Sequence, residues 1–219
     1  LPLPVSAARQ RQPHRISAAP VANQHLGRQA SVLCSAAAES EVDSAAAAAE
    51  PLPVAAIEMR VGKILSAEPH PDADSLYVET IDVGEEEPRT IISGLAKYVP
   101  LDSLQDRMVV VLCNLKARNM RGIKSFGMLL CASDDAHENV EPLLPPEGAV
   151  VGERVFFGEG GENQPDAESA NKVQKKKLWE AVQPDLKTDE GKVAGYKGLT
   201  MLTSAGEVTA PTLAKANIS

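Results

Sequence analysis

Four cations crowd one short stretch of an otherwise acidic chain. Lys116, Arg118, Arg121 and Lys124 fall within nine residues, inside a window (107–131) that contains no Asp or Glu. The 219-residue chain has 22 Lys and Arg against 30 Asp and Glu, a formal net charge of −8. A basic segment on an acidic protein is a polarised surface that selects polyanions, and lysine and arginine are the side chains that neutralise phosphates. The spacing therefore predicts a phosphate-binding surface.

These cations belong to a segment that we call the basic loop, residues 114–128, with the sequence NLKARNMRGIKSFGM. The apolar run 108–113 precedes it and predicts a buried strand, and a further strand is predicted over 125–132. Arg60 and Lys63 lie beside a predicted strand bend at Gly62 and are expected to flank the same surface. Aromatic residues make up only 3% of the chain, which argues against a protein that captures successive unpaired bases on aromatic rings.

The remaining reactive side chains do not assemble into a catalytic or metal-binding pattern. Cys34, Cys113 and Cys131 are odd in number and widely spaced, which argues against a disulfide framework and a zinc site. His70, which precedes two aspartates in the segment 69–75, is better explained by a structural turn with carboxylate caps than by a metal cluster. No catalytic residue, metal or cofactor is predicted, and no apolar run reaches the ~20 residues of a membrane-spanning helix.

The first 50 residues have the composition of a transit peptide or a disordered tail. They are rich in Ala, Ser, Pro and Gln, contain four arginines and have no acidic residue before Glu39. This composition is typical of organellar import signals. We expect chloroplast localisation, with the mitochondrion as the alternative, and cleavage near 34–38.

The chain from 55 to 157 predicts an all-β-dominated domain. Short alternating runs over 57–65, 76–83, 89–93, 108–113 and 125–132, with a short helix after the third, fit a five-stranded Greek-key barrel of the OB type. A β-sandwich is the main rival. A Gly-, Pro- and acid-rich linker follows at 158–170, and a small α+β module over 171–219 is expected to pack on the barrel, since a module of this size is marginal alone.

Three sequence blocks, in order, resemble a known family. They are HPDADSLYVE from His70, the NLK…RG…SFGM pattern of the basic loop, and KKKLWE from Lys175. They resemble the tRNA-binding domain of endothelial monocyte-activating polypeptide II, which is also appended to some methionyl- and tyrosyl-tRNA synthetases. The resemblance covers nearly everything after residue 55, including a C-terminal extension.

The resemblance implies an OB barrel that grips tRNA with little sequence preference, and a C-terminal module that occupies a subunit-contact surface, so that the protein is a monomer. The residues that match the family motif are Asn114, Lys116, Arg121, Ser125 and Met128. The family commonly has Pro and Lys where this chain has Ala117 and Asn119, while Arg118 supplies a cation one position away. The face on which Arg118 lies decides whether it replaces the family's lysine.

Three functions stay open at the level of sequence. The leading hypothesis is a non-catalytic protein that binds tRNA or another structured RNA and presents it to a synthetase or translation partner in an organelle, without a membrane role. The second is an OB-fold docking subunit of an organellar complex that does not require RNA. The third is the appended domain of a longer aminoacyl-tRNA synthetase, since the chain begins with Leu1.

Overall fold

The computed structural model describes residues 52–219. The segment predicted as a transit peptide or disordered tail, residues 1–50, lies outside the described residues. The helix and strand bounds of the first part are as follows: β1 (Met59–His70), β2 (Ala73–Asp82), β3 (Arg89–Ser93), β4 (Met108–Leu112), β5 (Arg118–Met120), β6 (Ile123–Ser125), β7 (Met128–Leu129), β8 (Cys131–Ser133), β9 (Val140–Pro142) and β10 (Phe156–Phe157).

One antiparallel sheet in the order β3-β2-β1-β4-β7 forms the curled wall of an OB-like barrel. The long β1–β2 hairpin is bent where the register shifts between Ile64 and Ser66. Such a bulge adds twist and lets a strand curl around a barrel. Gly62 is required beside it, because a Cβ there would lie 2.9 Å from the Cγ2 of Ile81. The predicted bend thus exists, and the predicted OB fold is confirmed.

Strand β4 separates two apolar cores. Val109 and Val111 face the barrel interior, where Ile64, Ile81 and Ile91 pack. Val110 and Leu112 face a second core that also contains C-terminal residues. Successive residues of a strand point to opposite faces. A strand that is buried on both faces therefore has an unbroken run of apolar residues in its sequence. The two cores fix the end of β4, which is where the basic loop begins.

The C-terminal residues complete a second sheet together with barrel strands. Their elements are α1 (Ala170–Lys176), α2 (Leu178–Val182), β11 (Leu186–Thr188), β12 (Ala194–Tyr196), β13 (Leu199–Thr203), β14 (Gly206–Glu207) and β15 (Asn217–Ile218). The order β10-β13-β12-β11-β15-β8-β9 joins both parts of the chain through backbone hydrogen bonds. The rings of Phe157 and Tyr196 meet edge to face at 6.1 Å, in the geometry that aromatic pairs prefer. The C-terminal module therefore packs on the barrel as predicted.

Several element predictions are corrected by the structure. The helix expected after β3 is only a 3-10 turn, Leu101–Ser103. The strand expected over 125–132 is divided among β6, β7 and β8, because these three strands belong to three different sheets. The single helix expected over 171–183 is broken at Lys177, whose φ of 52° is left-handed and ends α1. The predicted linker is ordered at its end, where the amide of Glu168 bonds the carbonyl of Ala56 at 3.0 Å.

Candidate nucleic-acid interface

The basic loop contains a small β-hairpin. Strands β5 and β6 pair in register from Arg118 opposite Ser125 to Met120 opposite Ile123. The two residues between them, Arg121 and Gly122, have φ values of 52° and 95°. Positive φ at both positions is the mark of a type I′ turn, whose twist suits a tight hairpin. Arg121 therefore projects from a defined turn at the hairpin tip.

The hairpin register decides which way its cations face. Arg118 and Met120 line a groove beside the barrel, and Ser125, the cross-strand partner of Arg118, lines it too. Successive strand residues alternate between faces, so Asn119 and its partner Lys124 share the other face. Arg118 thus faces the groove, whereas position 119, where the family commonly has Lys, does not. The amide oxygen of Asn119 instead accepts a hydrogen bond from the Gly122 amide at 2.9 Å.

Asn114 ties the start of the basic loop to two other segments. Its Oδ1 accepts from the Glu58 amide, and its Nδ2 donates to the carbonyls of Ala56 and Glu168, each at 2.9 Å. The side chain is 5% exposed. Buried amides are stabilised by such bonds and costly when left without them. The structure thus buries Asn114 at the base of the basic loop, against Glu168 just before α1, and not on the exposed surface.

Arg89 and Ser125 close the base of the basic loop. The Arg89 guanidinium donates to the carbonyls of Cys113 at 2.6 Å and Phe126 at 2.8 Å, one on each side of the loop. The Oγ of Ser125 accepts from the Ile92 amide and donates to the Gly127 carbonyl. Ser125 is buried, so the structure assigns it, like Asn114, a positioning contact.

His70 connects the long β1–β2 hairpin to the β5–β6 hairpin of the basic loop. Its Nδ1 accepts from the Asp72 amide at 3.1 Å, which leaves Nε2 to donate to the Met120 carbonyl at 3.2 Å. The imidazole is almost fully buried. The predicted structural turn is present, but its cap is this imidazole and not an aspartate carboxylate. Sequence reasoning missed Arg89 and His70 as supports of the loop.

The four cations of the basic loop are exposed and unpaired. Among residues 52–219, none of Lys116, Arg118, Arg121 and Lys124 forms an ion pair with a carboxylate. The two flanking cations differ, because Arg60 pairs with Glu58 and Lys63 pairs with Asp106. Pairing lowers the net field that a flanking cation contributes. Of the six cations predicted to meet RNA, the four on the basic loop are therefore the unneutralised ones.

Comparison with known proteins identifies the family. Residues 59–154 match the family described as "Putative tRNA binding domain". The C-terminal domain of Plasmodium vivax p43, a crystal structure, is 38% identical with a TM-score of 0.70 and matches over 98% of its length and 76% of this chain. The chain belongs to this tRNA-binding domain family.

Two curated relatives extend this tRNA-binding domain comparison. The cytoplasmic tyrosine–tRNA ligase of Xenopus tropicalis is 52% identical over 165 residues, 74% of this chain and 30% of the ligase. The aminoacyl tRNA synthase complex-interacting multifunctional protein 1 of Cricetulus griseus is 48% identical over 183 residues, 82% of this chain and 49% of that protein. The chain thus spans between about a third and a half of the length of these relatives.

A groove beside the hairpin adjoins the basic loop of this tRNA-binding domain. The groove has a volume of about 460 Å³ and lies between the barrel and the C-terminal module. Met128 lines it, so this predicted site residue lies beside Lys116 and Arg118. Trp179 and Gln183 line it from the C-terminal module. Their participation was not predicted, because nothing in the sequence shows that α2 packs beside the basic loop.

The described part of this tRNA-binding domain offers few groups for metal binding or thiol chemistry. Residues 52–219 contain no group of three His, Cys, Asp or Glu placed to hold a metal ion, and none of their helices has the length and hydropathy to cross a membrane. Cys113 and Cys131 are free and buried. Burial raises the pKa of Cys113 to about 11 and raises the pKa of Cys131 further, so both thiols stay protonated at neutral pH. They act as small apolar core residues.

Proposed function

We propose that this protein binds the sugar-phosphate backbone of tRNA through the basic loop, largely without reading its sequence. One observation carries the proposal: four exposed, unpaired cations stand on a loop whose base is held by hydrogen bonds from Arg89 and Asn114, in a protein of net charge −8. Bulk charge would repel RNA, so attraction must come from this local field.

The chemistry of the loop suits phosphates more than base edges. Its charged groups are Lys and Arg side chains on an exposed hairpin, where they can follow a backbone of regularly spaced anions. Structured RNA is recognised mainly by shape and by contacts to phosphate and ribose. The rigid base keeps these cations in place before binding, which lowers the entropy that binding must overcome.

We further propose that the protein has no catalytic role of its own and presents tRNA to a synthetase or translation partner in an organelle. The support is that the shared region recurs in a protein named as a ligase and in one named as complex-interacting. A region common to both kinds of protein is a binding unit that raises the effective concentration of tRNA beside a partner. The transit-like composition of residues 1–50 favours the organelle.

A salt titration of tRNA binding tests the proposal. Lys116→Ala combined with Arg121→Asn removes two charges and keeps the turn, since Asn tolerates positive φ and Asn-Gly is a preferred type I′ pair. Each lost phosphate contact should lower the magnitude of the log–log salt slope by about 0.7 to 0.9. Unrelated tRNAs should weaken by similar factors.

The matched control is Lys187→Ala, which removes an exposed lysine from β11, in the C-terminal sheet. It should leave the slope unchanged, and circular dichroism melts should show that all variants fold. If the double variant keeps wild-type affinity and slope, the basic loop does not hold RNA. The docking-subunit function, which needs no RNA, would then take its place.

A further inference from the structure

The groove beside the basic loop combines aromatic surface with cations. Tyr98, from the segment after β3, and Trp179, from α2, both line it, although the chain has only seven Phe, Tyr and Trp residues. Tyr98 is 39% exposed, and Trp179 is partly exposed. Lys116 and Arg118 line the same groove. Within residues 52–219, no Asp or Glu lines it.

One polar side chain of the groove is free to meet a ligand. The Gln183 side chain makes no hydrogen bond to another described residue and lies beside Trp179. Its amide offers donors and an acceptor, the pattern that pairs with the edge of a base. The volume of about 460 Å³ lies within the range of small-ligand pockets, about 300 to 1,000 Å³. The groove is therefore large enough for one planar ligand and not for a run of several.

We propose that this groove takes one unpaired nucleotide of the bound RNA. The inference rests on the proposed function and names a further element of the same ligand. The base lies against the aromatic and apolar surface, Gln183 meets its edge, and the adjoining phosphate contacts Lys116 and Arg118. Charge complementarity favours this occupant, because an apolar peptide side chain would gain nothing from two unpaired cations in a groove that no Asp or Glu lines.

A single base site agrees with the low aromatic content. Base stacking on an aromatic side chain is tolerant of sequence, because every base has a π-face. The protein would therefore discriminate RNA with an unpaired nucleotide from fully paired RNA with little preference for the base, because the Gln183 amide has both donors and an acceptor and can pair with different base edges. The phosphate contacts of the basic loop would hold the rest of the molecule.

Two duplexes of equal charge test the proposal. One carries a single unpaired 3′ adenosine and the other an abasic nucleotide at the same place. A second pair carries the adenosine or the abasic nucleotide as an internal bulge. We expect roughly ten-fold tighter binding of the adenosine form in at least one pair. Discrimination confined to the first pair identifies an RNA end as the source, and discrimination confined to the second identifies an extruded internal base.

Trp179, the only tryptophan of the chain, reports directly on the groove. Its fluorescence should be quenched by the adenosine form and not by the abasic form. Trp179→Leu should abolish the ten-fold preference, whereas Phe126→Leu, which alters an exposed ring outside the groove, should retain it. The wild-type fluorescence decides the matter even if Trp179→Leu fails to fold.

The failures are distinguishable. If both forms bind equally and leave the fluorescence of Trp179 unchanged, the groove takes no base, while phosphate binding by the basic loop stands. If neither form nor tRNA binds, both the inference and the proposed function are wrong.

Discussion

Glu79 should make the stability of the protein fall as the pH rises toward neutrality. It lies on β2 with its side chain fully buried, and the Ser93 hydroxyl donates to its Oε1 at 2.7 Å. Its Oε2 has no partner among the described residues. Burial raises the pKa of this carboxyl from 4.5 to about 7, and the Ser93 hydrogen bond offsets only part of that effect.

The sign follows from where the proton is held. Between pH 4.5 and about 7 the unfolded chain releases the Glu79 proton, whereas the folded protein keeps it. Folding therefore binds a proton in this window, and the free energy of unfolding decreases as the pH rises. The two pKa values differ by roughly 2.5 pH units, and each unit is worth about 1.4 kcal/mol, so the loss amounts to about 3 kcal/mol. The contribution becomes constant about one pH unit above 7, where the carboxyl is ionised in both states.

Denaturant unfolding of wild type and Glu79→Gln, measured from pH 4.5 to pH 8, isolates the effect. The amide cannot ionise, so the variant should gain about 3 kcal/mol relative to wild type across the range, on top of a pH-independent offset from its unpaired buried N–H. Other carboxylates contribute equally to both proteins and cancel in the difference. Glu68→Gln, an exposed carboxylate on β1, controls for the loss of one charge. Parallel curves for wild type and Glu79→Gln would refute the reasoning.

Three other predictions follow from the fold and the sequence. Asn114→Ala should lower the free energy of unfolding by about 3 kcal/mol, because it leaves the Glu58 amide and the Glu168 carbonyl without a buried partner, and denaturant unfolding checks this. A loss under 1 kcal/mol would show that water replaces the amide. The 35–219 protein should be a monomer by light scattering, and deletion of residues 163–219 should cause association or precipitation by exposing the core that it shares with the barrel; a soluble truncated monomer would contradict this. Mass spectrometry of the mature protein should find its N-terminus near 34–38, and a start before Arg28 would exclude that site.

The sequence predicted those features that depend on period and charge. The alternating runs around β1 to β4 indicated a small barrel, and the absence of acids near Lys116 indicated the exposed basic loop. The same reasoning could have found Glu79, because it is two residues from both Tyr77 and Ile81 and so falls on the buried face of β2. A charged residue at such a position signals an unusual burial.

The remaining features depend on contacts that a residue type does not reveal. Asn114 and Ser125 match a binding motif, yet their burial follows from which backbone groups the fold brings beside them. The break at Lys177 has no Gly or Pro to mark it, since a lysine there adopts the left-handed conformation. The place of Trp179 in the groove depends on packing between segments far apart in the chain.

The pairing of β15 with β8 bears on the order in which the molecule can assemble. Asn217 lies beside Ser133 in the sheet, and its side chain bonds Asp135, which is 82 positions earlier. Strand pairs between residues so far apart in the sequence form late and slow the folding of the chain. During synthesis the barrel segment would emerge with one sheet edge and part of its core uncovered, which exposes nascent chains to aggregation. The groove would acquire Trp179 only when the later strands have docked, so a chain still on the ribosome would present the basic loop without its base-binding wall.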